Sequence, residues 1–165
     1  MIDGMINMVG TFFIKASSYE FMKDHALTGA PSYYYSFEHY GESSLWNFLF
    51  PGGIPGDPIP RGVTHGDELI YIFSTGVFTL SPMDWEIARV MSNLWANFVI
   101  YGDPTAPQFP IWMPDDSAQP GEVPLPAWPV WQDIAGSAYL KIDSAPEVRH
   151  NYVTTWEDPE ADHST

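Results

Sequence analysis

The chain has 165 residues, which is enough for one domain with a sizeable core and too few for two comfortable ones. Cysteine is absent, which excludes a disulfide framework and thiolate metal ligands, and no apolar run is long enough to span a membrane. Acidic residues number 21 against 6 basic ones, a formal net charge of −15, so nucleic acids and anionic membranes are poor partners.

The first third of the chain predicts a helix, a strand and a long loop. Ser17 or Ser18 can cap a short helix that ends at Gly29. Residues 32–39, SYYYSFEH, are dense in aromatic side chains and predict a buried strand. Residues 41–62 are rich in proline and glycine, which predicts a long irregular loop of the kind that is usually functional or mobile.

The most clearly marked element is a helix that begins after Ser81. The Ser81 hydroxyl can cap it, Pro82 suits the first helical position, and Gly102 ends it. Asp84 stands at the third helical position. Apolar residues recur at helical spacing and predict a buried face formed by Ile87, Met91, Leu94, Trp95 and Phe98.

The last third predicts a proline-rich irregular segment over residues 104–129 and a short strand over residues 137–142. Two strands and one long helix, joined by long loops, would be unusual as a complete domain. We therefore expect them to be the end of a larger α/β domain.

The candidate chemistry lies in residues 62–69, GVTHGDEL. His65 stands between glycines and beside Asp67 and Glu68, so its ring can be held on a tight loop and tuned to accept a proton near neutral pH. The structural alternative is that Thr64 begins a helix in which the two acids are ordinary residues of the first turn. The five histidines of the chain lack the close pairing of a metal site, and no phosphate-binding glycine loop is present, so we expect no metal and no cofactor.

Ser43, in the sequence GESSL, is the candidate nucleophile within the chain. It follows a strand and precedes His65, as the serine of a Gly-x-Ser-x-Gly elbow does. Three features oppose this role: Leu45 replaces the last glycine, no capped helix is expected to follow, and no acid-bearing strand fits between Ser43 and His65. We therefore reject Ser43 as the nucleophile and predict a turn residue that bonds its own backbone.

Several motifs taken together resemble, in order, the C-terminal portion of the type-B carboxylesterase/cholinesterase family. Within that family they are similar to arthropod esterases. They are YYYSFEH at 33–39, the proline-rich loop, GVTHGDEL at 62–69, WANF at 95–98, GDP at 102–104, WP at 128–129 and YLKI at 139–142. The resemblance implies that residues 1–156 are the C-terminal part of an α/β-hydrolase fold, with the last strands of its central sheet and a long helix. Residues 157–165 would then be an acidic, flexible tail.

The same resemblance implies ester hydrolysis by a Ser-Glu-His triad. His65 matches the triad histidine, Glu68 matches a glutamate that supports the site, and Asp67 stands at a variable position near the gorge wall. A small-molecule ester substrate, no cofactor and secretion are also implied, although residues 1–10 lack the features of a signal peptide.

The family's Gly-Glu-Ser-Ala-Gly elbow, its oxyanion loop and its triad acid have no counterpart in these 165 residues. We therefore expect a fragment of a carboxylic ester hydrolase that is inactive alone and that exposes a sheet edge and an apolar face. Two alternatives stay open. One is a non-catalytic esterase-like adhesion protein, and the other is a small independent hydrolase that uses Ser43 and His65.

Overall fold

The computed structural model describes residues 2–51, 62–73, 76–106, 127–132 and 137–153. It contains three layers, in which helices lie on both faces of a three-stranded sheet. The elements are α1 (Ile2–Gly10), a π-helical segment (Thr11–Lys15), α2 (Ala16–Ala26), β1 (Tyr35–Phe37), α3 (Leu45–Leu49), α4 (Glu68–Ile72), α5 (Pro82–Tyr101), β2 (Ala138–Ile142) and β3 (Glu147–His150).

The sheet has the strand order β1-β2-β3. β1 pairs in parallel with β2, with Tyr35 opposite Leu140, and β2 pairs antiparallel with β3, with Leu140 also opposite Val148. Because successive side chains of a strand point to opposite faces, Leu140 and Ile142 pack on one side of β2 and Tyr139 on the other. The strand over residues 137–142 is thus confirmed, whereas β3 has no counterpart among the sequence predictions.

The two faces of the sheet carry different cores. One face packs against α4 and α5 through aliphatic side chains, including Ile70, Ile87, Met91 and Leu94. The other face is aromatic and packs against α2 through Tyr34, Trp131, Tyr139 and Tyr152. β1 itself is shorter than the predicted strand over residues 32–39, because the ladder extends only over Tyr35–Phe37.

The long helix α5 forms as its sequence predicts. The Ser81 hydroxyl accepts a hydrogen bond from the backbone N–H of Asp84, and the Asp84 carboxylate accepts one from the backbone N–H of Ser81. Gly102 ends the helix in the left-handed conformation, with φ of 73°. The buried face is confirmed for Ile87, Met91 and Leu94; Trp95 packs at its margin, while Phe98 stays 46% exposed and contacts the Tyr33 ring edge-on.

We expect Ser81→Ala to lower the free energy of unfolding by about 1 kcal/mol, because it leaves the N–H of Asp84 without its cap. The measurement is urea unfolding followed by circular dichroism. Ser17→Ala is the matched control, since the exposed Ser17 hydroxyl makes only a long 3.4 Å bond to the carbonyl of Phe12. Equal losses in the two variants would contradict a capping role for Ser81.

The N-terminal helix differs from its prediction. Helical structure runs from Ile2 through the π-helical segment to Ala26, so neither Ser17 nor Ser18 caps it. Ser18 lies inside the helix and bonds the carbonyl of Lys15 and the Tyr34 hydroxyl, at 3.0 and 2.8 Å. The capping prediction was wrong because a serine hydroxyl can bond a carbonyl within a helix equally well. The predicted end is close to right, because the turn after Ala26 includes Gly29 at φ of 74°.

The loops hold one further difference. Residues 41–62 were predicted to be irregular throughout, but Ser44 caps the short helix α3 by accepting a bond from the N–H of Asn47 at 3.1 Å. Three predicted segments lie wholly or partly outside the described residues. They are residues 52–61 of the first loop, residues 107–126 of the proline-rich segment predicted over 104–129, and the acidic tail at 157–165. In the described part of the chain, no helix is both long and apolar enough to cross a membrane.

Candidate active site

His65 lies in a tight turn directly before α4. The backbone N–H of Asp67 donates to the carbonyl of Thr64, and that of Leu69 donates to the carbonyl of Gly66. Gly66 has φ of 91°, a conformation that costs little only for glycine, so this residue permits the turn. The helix begins at Glu68 rather than at Thr64, which places His65 ahead of it on the turn. The alternative interpretation, in which the acids after His65 are ordinary residues of a first helical turn, thus applies to Glu68.

The His65 side chain is exposed and faces a cleft of about 710 Å³. α1, the π-helical segment and α2 form one wall of the cleft, and β1 with the His65 turn forms the other. Glu68 also lines the cleft, as do Tyr33, Tyr35 and Phe37. The structure therefore brings His65 and Glu68 to one surface, and the strand aromatics serve both the core margin and the cleft.

Glu68 affects the electrostatics of this cleft. Burial, together with the negative charge of Glu68, raises the pKa of Tyr35 to about 12. The Tyr35 hydroxyl therefore stays neutral even in moderately alkaline solution and adds no negative charge to the cleft.

Asp67 is buried, with 1% of its surface exposed, and it holds the turn in place. One carboxylate oxygen accepts from the backbone N–H of Leu45 at 2.7 Å, and the other accepts from the N–H of Thr64 at 2.8 Å. The first bond reaches the start of α3 and the second closes the His65 turn on itself. Asp67 therefore acts on the backbone around His65, which the sequence alone did not indicate.

We expect Asp67→Asn to lower the free energy of unfolding by about 1–3 kcal/mol, because the amide NH2 would face a backbone N–H that needs an acceptor. Urea unfolding measures the loss. Asp24→Asn is the control, since Asp24 is exposed on α2 and its replacement should change stability by no more than about 0.5 kcal/mol. A loss no larger than that of the control would show that the two carboxylate bonds contribute nothing.

Ser43 does not form a nucleophile–base pair with His65. Its buried hydroxyl donates to the carbonyl of Thr79 at 2.9 Å, and within the described residues no hydrogen bond joins it to His65. Rejection of Ser43 stays a prediction, but two of its details were wrong. A capped helix, α3, does follow Ser43, and the serine bonds a residue 36 positions away instead of its own turn.

Behind the His65 turn lies a buried polar junction that the sequence analysis missed. The Asp84 carboxylate, with no exposed surface, bonds His39 Nε2 at 2.8 Å and accepts from the Tyr71 hydroxyl at 3.2 Å. The carbonyl of Ser43 is a second acceptor for the same Tyr71 hydroxyl at 3.1 Å, so the two acceptors share its one proton. Burial alone would raise the pKa of Asp84, but the hydrogen bonds from His39, Ser81 and Tyr71 outweigh it and lower the pKa below its usual range.

The signal for this junction in the sequence is faint. Asp84 was predicted only as the third residue of α5, and its bond from the backbone of Ser81 accounts for only one of its two oxygens. Gly41 gives the other clue, because a side chain there would collide with Asp84 Oδ1 and the Tyr71 hydroxyl. Only the fold shows which residues meet at that glycine.

We expect Gly41→Ala to lower the free energy of unfolding by about 1–3 kcal/mol, since the new methyl group must displace two hydrogen-bonded side chains. Gly10→Ala is the matched control. Gly10 has helical dihedral angles and open space around its Cα, so alanine there should be neutral or stabilising by up to about 1 kcal/mol. Thermal unfolding of both variants tests the contrast, and a stable Gly41→Ala would contradict the close packing.

No cluster of three or more potential metal ligands occurs among the residues that the structure describes. The cleft itself presents the exposed His65 imidazole on a turn that Asp67 holds in place, together with the Glu68 carboxylate and aromatic side chains. Such an imidazole can transfer protons to and from groups that enter the cleft.

Comparison with known proteins identifies the family. The profile of the carboxylesterase family matches residues 1–156, and the chain therefore belongs to that family. This membership confirms the predicted fold class, in which the described helices and mixed sheet are part of an α/β-hydrolase.

Individual relatives include esterases and a neuroligin. The chain is 27% identical to acetylcholinesterase of Bungarus fasciatus over 133 residues, covering 78% of this chain and 20% of that protein. It is 33% identical to esterase FE4 of Myzus persicae over 87 residues, covering 52% and 15%. It is 28% identical to neuroligin-3 of Mus musculus over 143 residues, covering 79% and 15%.

Among solved structures, the carboxylesterase EST55 of Geobacillus stearothermophilus aligns at 21% identity with a TM-score of 0.48, covering 80% of this chain and 22% of that one. The chain thus spans about a fifth or less of the length of the relatives it matches.

Proposed function

We propose that this chain is the histidine-bearing, C-terminal part of a carboxylic ester hydrolase, with residues 1–156 belonging to its catalytic domain. The observation that carries the proposal is the placement of His65. Its ring is exposed on a cleft, on a turn that Gly66 permits and Asp67 fixes, in a chain of the carboxylesterase family. The substrate would be a small-molecule ester, and the family resemblance favours a secreted protein.

In the proposed mechanism His65 works on a serine of the complete protein. It takes the serine proton as the oxygen attacks the ester carbonyl, and then gives that proton to the leaving alcohol. Backbone donors elsewhere in the protein would stabilise the oxyanion, which often accelerates acyl transfer more than any other single interaction. Glu68 would add a negative charge at the same wall of the cleft, and Asp67 would hold the turn without touching the substrate.

The proposal includes inactivity of the chain by itself. No Gly-Glu-Ser-Ala-Gly motif occurs in the 165 residues, and the Ser43 hydroxyl is bonded to the carbonyl of Thr79. The exposed apolar side chains of the first helical stretch, Met5, Met8, Phe12 and Phe13, fit a surface that another part of the domain covers.

The second candidate is a non-catalytic adhesion protein with the same fold. The observation in its favour is the similarity to neuroligin-3, which covers 79% of this chain. The two candidates differ in the nucleophile elbow. An intact Gly-Glu-Ser-Ala-Gly sequence upstream in the same reading frame favours the hydrolase, and its loss favours the adhesion protein.

We expect His65→Ala in the complete protein to lower kcat for p-nitrophenyl acetate about a thousandfold or more, because the serine loses its base. His25→Ala is the matched control; His25 lies on α2, stacked on Phe21, and its loss should leave kcat unchanged. Retention of turnover by His65→Ala would overturn the proposed mechanism.

The same preparation tests the independent-hydrolase alternative. A fluorophosphonate probe should label the complete protein and leave the isolated 165-residue chain unlabelled. Labelling of the isolated chain at Ser43, lost in His65→Ala, would instead assign the nucleophile to this chain.

A further inference from the structure

The helix that follows the His65 turn cannot hold its own position. α4 has only five residues, Glu68–Ile72, and a helix this short has little stability by itself. Its direction, and with it the direction of the His65 turn, must be set by tertiary contacts. Asp67 fixes the N-terminal side of the helix through its bonds to Leu45 and Thr64.

Tyr71 fixes the other side. Its ring is 3% exposed and contacts the rings of Phe37 and His39 at centroid distances of 5.2 and 5.4 Å. Its hydroxyl lies between two acceptors, the Asp84 carboxylate and the carbonyl of Ser43, at 3.2 and 3.1 Å. One hydroxyl therefore connects α4 to the first turn of α5 and to the loop that follows β1.

The partners of this hydroxyl are themselves fixed. Asp84 Oδ2 accepts from the backbone of Ser81, and Asp84 Oδ1 bonds His39 Nε2 just beyond the end of β1. His39 is 7% exposed, so its ring cannot turn toward solvent without breaking the packing around it. The His39–Asp84 pair is thus a rigid receptor for the Tyr71 hydroxyl.

We propose that Tyr71 is a positioning residue for His65, and that it acts through the His39–Asp84 pair. This inference rests on the proposed ester hydrolysis. None of these three described residues lines the cleft, so their effect on the reaction passes through the placement of α4 and its preceding turn. Catalysis depends steeply on that placement, since a misplacement of about 1 Å can cost about a hundredfold in rate.

The deciding variant is Tyr71→Phe in the complete protein, because phenylalanine keeps the ring contacts and removes only the hydroxyl. We expect kcat for p-nitrophenyl acetate to fall about tenfold while KM changes by less than about twofold, since the cleft lining is intact. The second-order rate constant for fluorophosphonate labelling should fall by a similar factor, because the same histidine activates the serine.

Tyr139→Phe is the matched control. Tyr139 is also a buried tyrosine, 1% exposed, but it lies in the aromatic cluster on the opposite face of the sheet. Its kcat should stay within about twofold of the parent value, even if its thermal midpoint falls as far as that of Tyr71→Phe. Titration of reactive serine gives the concentration of folded enzyme. The kcat of a partly unfolded variant is calculated with that concentration, so the loss of folded protein is not counted as a loss of kcat.

A second pair of variants tests the receptor. His39→Gln keeps an N–H donor toward Asp84, whereas His39→Leu removes it, so the glutamine variant should keep more of the parent kcat. Unchanged kcat in Tyr71→Phe, or equal losses in Tyr71→Phe and Tyr139→Phe, would overturn the inference.

The two variants His65→Ala and Tyr71→Phe distinguish a wrong role for Tyr71 from a wrong function for the protein. If His65→Ala keeps its turnover, the proposed hydrolysis by His65 falls, and the role of Tyr71 falls with it. If His65→Ala is inactive while Tyr71→Phe matches the parent, only the positioning role of Tyr71 falls.

Discussion

The fold around the candidate site depends on one fully buried carboxylate, that of Asp84. A charge removed from water is costly unless it is paired and hydrogen-bonded, and Asp84 meets that requirement with donors from three parts of the chain. Ser81 donates from the start of α5, His39 from just beyond the end of β1, and Tyr71 from α4. Because all three must be in place to satisfy the charge, they fix the relative positions of a strand and two helices.

The rest of the architecture follows from the two-sided sheet. Its aliphatic face holds α4 and α5, and its aromatic face holds α2, so the sheet is covered on both sides as in other α/β proteins. The His65 turn lies at the margin of this assembly, where Gly66 and Asp67 give it a defined shape and leave the imidazole exposed. A rigid backbone with an open side chain is the arrangement that proton transfer requires.

Membership of the carboxylesterase family and the placement of His65 support each other, but they are different kinds of observation. The family match extends over residues 1–156 and gives the fold. A fold can carry several functions, and the relatives include both esterases and neuroligin-3. The proposed ester hydrolysis therefore rests on the histidine turn, together with a serine that we propose lies elsewhere in the complete protein.

The sequence by itself determined the features whose physical causes are local. A serine, proline and aspartate within four residues define the start of α5, a glycine defines its end, and the glycine-flanked histidine marks the candidate site. The ordered motifs from residue 33 to residue 142 also identified the family and its fold class. Local signals were misleading where one residue suits two local structures. Ser18 can cap a helix or bond a carbonyl inside a helix, and only its contact with Tyr34 decided between these two arrangements.

Only the tertiary structure decided which strands pair and which polar groups meet. β1 and β3 depend on pairing with β2, so their extent is set by the partner strand. Asp67 joins the His65 turn to α3 across 22 positions, and Asp84 joins His39 across 45. Periodicity and capping rules relate residues that are only a few positions apart, so they predict no bond over such separations. A hydrogen bond between remote residues forms only after the core has placed their backbones. The sequence thus determined the candidate histidine, and the fold decided what holds it in place.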